Sequence, residues 1–381
     1  MQTPLIEDLE ERKETYQRFW RGENLRRPLV SIFAVRNEPI ARPAAPDDLE
    51  TRWLDPGYVI PNGLALLANT LFLGDSIPYL QVDFGPGSLA AYLGSKVECH
   101  ANTVWFHKIF DDLAGDLPEF DESNVWWQRH FDLIRRAADV GRKKGFYVAI
   151  PDLIEGLDTL ASLRGSQELI MDLMFDPQNV HRHLANITEL YFRYYDLLYR
   201  TTADEKGWSI STYLEPFGPG RTGKMQCDFA ALMNPKLLAE FATPYLEYQA
   251  ARLDYVAYHL DGPGAIYSAS HICSIRKIRV VQWIPGAGQS PAYAEKWDDR
   301  VFDVLIKSGK VVQIIFTPPQ NVSEDESHSL LREIVGGINR LMGKYRPENF
   351  WFIFRYGFPE SSVRRVLVPA ARDWGVQHLL R

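Results

Sequence analysis

The stretch Tyr255-Val-Ala-Tyr-His-Leu-Asp-Gly-Pro-Gly264 passes from an apolar, β-rich run to a polar pair and then to a glycine-proline turn. A run of this length bounded by turn chemistry is the pattern of a short strand that delivers its last side chains to a loop. The pattern recurs along the chain. Runs at 28–35, 77–82, 146–150, 208–214, 278–284, 311–316 and 350–356 make, with 255–260, eight candidate strands, the poorest being 77–82.

Helical period and punctuation fill the gaps between the later runs. Asn234-Pro235 predicts an N-cap with proline at the first helical position, ahead of Leu237, Leu238 and Phe241. Gly145, Gly309 and Gly343 each precede a run by a few residues, where glycine ends a helix. Strand alternating with helix predicts an α/β protein with a parallel sheet. Alternation alone does not separate a closed barrel from an open doubly wound sheet. The strand count favours the barrel, and so does a length of 381 residues, because such barrels run from roughly 200 to over 400 residues as one unit. The expected organisation is an N-terminal helical extension at 1–27 and a single (β/α)8 TIM-like barrel at 28–381. Residues 85–127, with Glu98-Cys-His-Ala-Asn-Thr-Val-Trp-Phe-His107, read as a small β excursion.

Asp and Glu number 49 against 42 Lys and Arg, a net charge of −7, and the basic residues are scattered. That distribution argues against a nucleic-acid partner. Cys99, Cys227 and Cys273 show no C-x-x-C spacing, so neither a disulfide framework nor a thiolate-rich zinc cluster is expected. The first residues lack the basic and apolar regions of a signal peptide, and no apolar run is long enough to span a bilayer. The chain reads as soluble and cytoplasmic.

In a barrel, function gathers at the C-terminal ends of the strands. Polar residues at those ends are Asp83, Asp152 with Glu155, Glu215, His259 with Asp261, Gln282 with Trp283, Gln313, and Arg355 with Tyr356. His259 and Asp261 stand two apart on a strand and therefore project to the same side. A paired imidazole and carboxylate either ligates a metal, tunes a general acid or base, or caps the strand end by hydrogen bonds. Glu215 leads into the turn-rich Pro216-Phe-Gly-Pro-Gly220, expected as a mobile loop; it is either a ligand or proton carrier, or a staple to Arg221. Asp83, before Phe84-Gly-Pro-Gly87, invites the site reading and the Asx-turn reading alike. Ile284-Pro-Gly-Ala-Gly-Gln289 lacks both the P-loop and the dinucleotide fingerprint and reads as a tight loop, with Trp283 as a flat wall of the site. Cys227 stands at a helix entry that favours a thiolate, against the ordinary reading of an inert thiol.

Taken together, Asp83-Phe-Gly-Pro-Gly-Ser-Leu-Ala-Ala-Tyr-Leu-Gly94, Leu163-Arg-Gly165, Met233-Asn-Pro-Lys-Leu-Leu-Ala-Glu-Phe-Ala-Thr-Pro-Tyr245, His259-Leu-Asp261 and Val281-Gln-Trp283 resemble the uroporphyrinogen decarboxylase superfamily. That group also holds corrinoid-linked methyltransferases and cobalamin-independent methionine synthases, and the resemblance implies a (β/α) barrel. The Arg-Gln-Ala-Gly-Arg-Tyr segment of true uroporphyrinogen decarboxylases is missing; Ser31-Ile-Phe-Ala-Val-Arg-Asn37 stands there instead. In the methyltransferase branch a His-x-Cys and a later Cys hold zinc. Here His259 matches the histidine, Asp261 replaces the first cysteine, and Phe354-Arg-Tyr-Gly357 offers none.

The resemblance thus implies a methyltransferase or demethylase that moves a methyl group from a small molecule to a corrinoid carried by a partner protein. His259, Asp261 and Glu215 would hold one divalent metal such as zinc, with Asp83 joining them in catalysis. Trp283, Gln282, Arg355 and Tyr356 would bind substrate. The alternatives are a metal-free decarboxylase-like lyase, with Asp83 stabilising a cation and Arg355 holding a carboxylate, and a barrel that binds without catalysis.

Overall fold

The computed structural model describes residues 5–320 and 322–379. Residues 1–4 of the expected extension, and residues 321, 380 and 381 of the expected barrel, lie outside the described residues. The first strands are β1 (Leu29–Val35), β2 (Thr70–Gly74), β3 (Tyr79–Leu80), β4 (Lys96–Cys99), β5 (Val104–His107), β6 (Tyr147–Val148) and β7 (Trp208–Ile210). There follow β8 (Phe217–Pro219), β9 (Thr222–Met225), β10 (Tyr255–Asp261), β11 (Ile278–Ile284), β12 (Val311–Phe316) and β13 (Phe350–Phe354).

One seven-stranded sheet carries the fold, in the order β2, β1, β13, β12, β11, β10, β9. Its neighbours run parallel except β2, which is antiparallel to β1. The strands β10 to β13 are nearly continuous apolar runs because both of their faces are covered.

The ladder does not close into the ring of eight parallel strands that the sequence leads one to expect. β3 pairs with β6 as a separate piece, β7 pairs antiparallel with β8, and a single bridge, Ile150 to Ser211, joins the ends of β6 and β7. The cause is local. Pro78 falls inside the run at 77–82 and Pro151 directly follows that at 146–150, and proline brings no N–H to a ladder. Tyr213, at φ 61°, turns the chain out of the strand begun by β7. Between β7 and β9 side chains replace the missing backbone pairing: Ser211 Oγ donates to the Thr222 carbonyl at 2.9 Å, and Ser209 Oγ lies 3.0 Å from Thr222 Oγ1. The supposed mobile loop after Glu215 is itself strand, with Phe217 and Gly218 buried.

Asn234 caps the helix Pro235–Phe241 as expected, its Oδ1 accepting from Lys236 N at 2.9 Å and Leu237 N at 3.0 Å. Gly145, at φ 77°, ends the helix Val125–Lys144 in the left-handed conformation that a Cβ disfavours. Gly343 ends nothing, because the helix Glu324–Lys344 runs through it.

The helix Leu9–Trp20 lies across the N-terminal end of the strands. The Tyr16 ring meets Phe217 and Trp351 edge-on at 5.3 and 5.7 Å, and Trp20 Nε1 donates to the Phe217 carbonyl at 2.7 Å. Buried Phe19 adds roughly 1.5–3 kcal/mol of apolar burial. β4 and β5 form the expected excursion, an antiparallel hairpin whose exposed Glu98 bonds both His100 and His107 at 2.9 Å. No described helix is long and apolar enough to cross a membrane.

Candidate active site

At the C-terminal ends of β9 to β12 lies a cavity of about 450 Å³, whose polar wall includes Asp152, Tyr213, Lys224, Asp228, His259 and Arg355. Ile154, Leu214, Ile284 and Ile315 supply apolar walls. His259 and Asp261 reach the same space because alternate residues of β10 face one way. Asp228, in the turn that follows β9, meets them there. One potential ligand atom from each of Asp228, His259 and Asp261 falls within 4.8 Å of the others, the single such group among the described residues.

Gln282 stands opposite His259 in the β10–β11 register, and His259 Nδ1 donates to its Oε1. The Nδ1–H tautomer leaves the Nε2 lone pair free. Burial, with the Lys224 charge nearby, lowers the imidazole pKa and keeps the ring neutral at neutral pH. Two carboxylates and one neutral imidazole make a donor set suited to a divalent first-row cation.

A buried network underlies this group. Lys224, on β9, holds the Asp152 carboxylate at 2.8 Å and donates also to Gln226. Gln226 Nε2 donates at 3.0 Å to both Asp158 and Asp228, and its backbone N donates to Glu155 at 3.1 Å. Glu155 is buried, and its pKa is raised well above the ordinary carboxylate range by desolvation. Asp228 is pushed up to about 7 by desolvation and by Asp158, against the pull of Lys224. Gly87, at φ 92°, donates its N–H to the Asp152 carbonyl at 3.2 Å, so the turn after Asp83 packs directly on this segment. A Cβ at Gly87 would stand 2.9 Å from Ile154 Cδ1.

Glu215 belongs to a second cluster. Tyr79 Oη donates to its Oε1 at 3.1 Å and Arg355 Nε stands 3.6 Å away, while Arg355 also donates to the Tyr213 carbonyl. Burial raises Glu215 to about 7. Asp83 likewise rises to about 7 through burial, opposed by the Tyr213 hydroxyl and by Gln81, whose Nε2 donates to it at 3.0 Å. Ile154, Tyr213 and Glu215 all adopt φ near 60° without being glycine. Such conformations cost on the order of 1–3 kcal/mol each and collect where a site over-determines the backbone.

Of the residues expected from sequence, His259, Gln282 and Arg355 line one cavity, Asp261 stands beside His259 at its exposed edge, and Asp83 lies behind Tyr213. Glu215 is not grouped with the His259 and Asp261 ligand atoms; Asp228 takes that place. Trp283 does not line the cavity. It is buried edge-on to Trp297 at 5.0 Å, because Gln282 already takes the inward direction and its neighbour must point outward. Tyr356 packs on Phe33 at 5.2 Å. Gln313, buried, donates to the Leu214 carbonyl at 2.8 Å. Arg221 pairs with Asp196 rather than with Glu215. Cys227 is buried and its thiol pKa is raised, the opposite of an activated thiolate. Lys224 and Asp228 escaped sequence reading. The short Thr222-Gly-Lys-Met225 carries no apolar run to mark it as a strand, and Asp228 lies beyond it.

No family model matches the chain, and no curated protein matches it. Among solved structures it is similar to a methyltransferase from Methanosarcina mazei, with a TM-score of 0.61 and 12% identity, over 96% of this chain and 99% of that one. A likeness at that identity shows a shared fold.

Proposed function

We propose that this protein is a methyltransferase or demethylase of the uroporphyrinogen decarboxylase type, which takes a methyl group from a small methylated substrate bound in the 450 Å³ cavity. The observation that carries the reading is the cation-competent group of Asp228, His259 and Asp261 at the mouth of a cavity with apolar walls. His259 Nε2 and the two carboxylates would hold one divalent metal, zinc in the first instance. When bound, it supplies Lewis acidity toward the heteroatom that bears the methyl group. The apolar Ile154, Leu214, Ile284 and Ile315 suit the methyl and exclude water, and Lys224 holds Asp152 in place beneath them. As the carbon–heteroatom bond breaks, the heteroatom keeps the electron pair and requires a proton. Asp83, raised to about 7 by burial and hydrogen-bonded to the Tyr213 hydroxyl of the cavity wall, would supply it through that hydroxyl. The acceptor in this proposal is a corrinoid carried by a separate protein docked over the strand ends. The fold shared with a methyltransferase and the resemblance of the sequence motifs support the same reading.

The test is anaerobic turnover by the purified, zinc-loaded protein of a panel of methylamines, methyl thioethers and methoxy compounds, with free cob(I)alamin as the methyl acceptor. Methylation of the corrinoid that disappears in His259→Ala supports the proposal. Zinc binding without turnover of any member, or turnover unchanged in His259→Ala, overturns it. Carbon dioxide release from a carboxylated compound by metal-free protein would assign the chain to the lyases instead.

A further inference from the structure

Five lysines and arginines are buried among the described residues: Arg12, Lys13, Arg27, Lys224 and Lys310. Four have a carboxylate partner. Arg12 holds Asp8 at 3.1 Å, Lys13 holds Asp204 at 3.1 Å, Arg27 holds Asp75 at 2.7 Å and Lys224 holds Asp152 at 2.8 Å. Lys310 has no carboxylate partner among the described residues; its Nζ donates to the carbonyls of Ile275 at 2.8 Å and Ile278 at 2.7 Å. Beside it Arg279 lies over the Phe19 ring at 5.1 Å, and its buried Nε has no hydrogen-bond partner among the described residues.

Two cavities of about 360 and 310 Å³ share Arg279, Gly309 and Lys310. Arg276 and Lys277 line the first, and Arg346 lines the second. The acidic groups at these walls are fewer. Asp254 accepts from the Arg221 backbone at 2.9 Å, Glu23 is held by Arg18 and Arg21, and Glu348 lines the second cavity. An ammonium taken out of water without a counter-charge is destabilising, and burial lowers the pKa of both Lys310 and Arg279. In a chain of net charge −7 this concentration of cations is local, not compositional.

We infer that Lys310 and Arg279, with Arg276 and Lys277, form a binding site for a phosphate group at the N-terminal ends of β11 and β12, the opposite end of these strands from the His259 cavity. Lys310 has committed two of its three protons to carbonyls and keeps one. The Arg279 fork keeps its Nε–H, and Arg276 and Lys277 approach from the loop before β11. Donors arriving on several separate side chains match a tetrahedral oxyanion better than a planar carboxylate, which a single guanidinium fork satisfies. The phosphate is either the free ion or the end of a phosphate ester.

Calorimetry and thermal melting of the full chain decide this, with inorganic phosphate, adenosine 5′-monophosphate and citrate as probes against sodium chloride of equal ionic strength. The wild type is expected to bind phosphate or the monophosphate saturably and to melt at higher temperature with it. Arg279→Gln and Lys310→Gln should weaken binding at least tenfold. Arg276→Gln, at an exposed position, should weaken it several-fold, which keeps the inference testable if the buried variants fail to fold. Arg129→Gln, on the distant helix Val125–Lys144, should change nothing. Tighter binding of the monophosphate marks an ester site, and equal or weaker binding marks the free ion. No saturable effect in the wild type, citrate binding more tightly than phosphate, or unchanged affinity in Arg276→Gln would overturn the inference.

Discussion

His259 Nδ1 donates its proton to Oε1 of Gln282, the residue directly beside it on the neighbouring strand. The bond fixes which ring nitrogen is free and how the ring is turned. Partners of this kind are worth roughly 10–100-fold in metal affinity. Gln282→Leu is therefore expected to lower zinc affinity by about that factor, measured by competition with a chelating dye. Unchanged affinity would show that the ring is oriented by packing alone.

The ligand set itself separates two residues. Asp228, not Glu215, shares the space of His259 and Asp261, so Asp228→Asn should weaken zinc binding more than tenfold while Glu215→Gln stays within about twofold of wild type. His259→Ala should abolish binding. Cys273→Ser should leave it intact, since that thiol lies against the Val304 carbonyl at 3.9 Å. Loss of zinc in Glu215→Gln with retention in Asp228→Asn would return the third position to Glu215.

Glu215 also sets a pH dependence. Burial raises its pKa from the ordinary 4.5 to about 7, more than Arg355 and Tyr79 lower it. Between those values the native state keeps a proton that the unfolded chain has released. The group's contribution is therefore most favourable below about pH 4.5 and is lost as pH rises to about 7, by on the order of 3 kcal/mol. Urea unfolding at pH 5 and pH 8 should show a smaller loss of stability in Glu215→Gln than in wild type. Identical losses would place the carboxyl in contact with water.

Lys224 and Asp152 are both buried and 2.8 Å apart. Breaking such a pair from one side leaves an uncompensated charge and costs about 3–5 kcal/mol. Lys224→Met is expected to lose that much in a urea melt. Lys224→Met with Asp152→Asn should recover part of it, because the stranded charge is gone. A double variant no more stable than the single one would mean that the loss comes from packing.

The sequence by itself determined the strand positions β10 to β13, the Asn234 cap, the helix stop at Gly145 and the shared direction of His259 and Asp261. Each rests on an apolar run, a capping residue or a two-residue period contained within a few neighbouring positions. Only the tertiary structure decided that the ladder stays open, that Thr222–Met225 is a strand of the main sheet, and that Trp283 faces the helices. It also brought Lys224 to Asp152 and Asp228 to His259. Those partners lie far apart in the chain, and nothing in the residues around either one encodes the meeting. Packing chooses it, once the buried lysine must find a carboxylate to offset its lost hydration and the strand ends converge on one cavity.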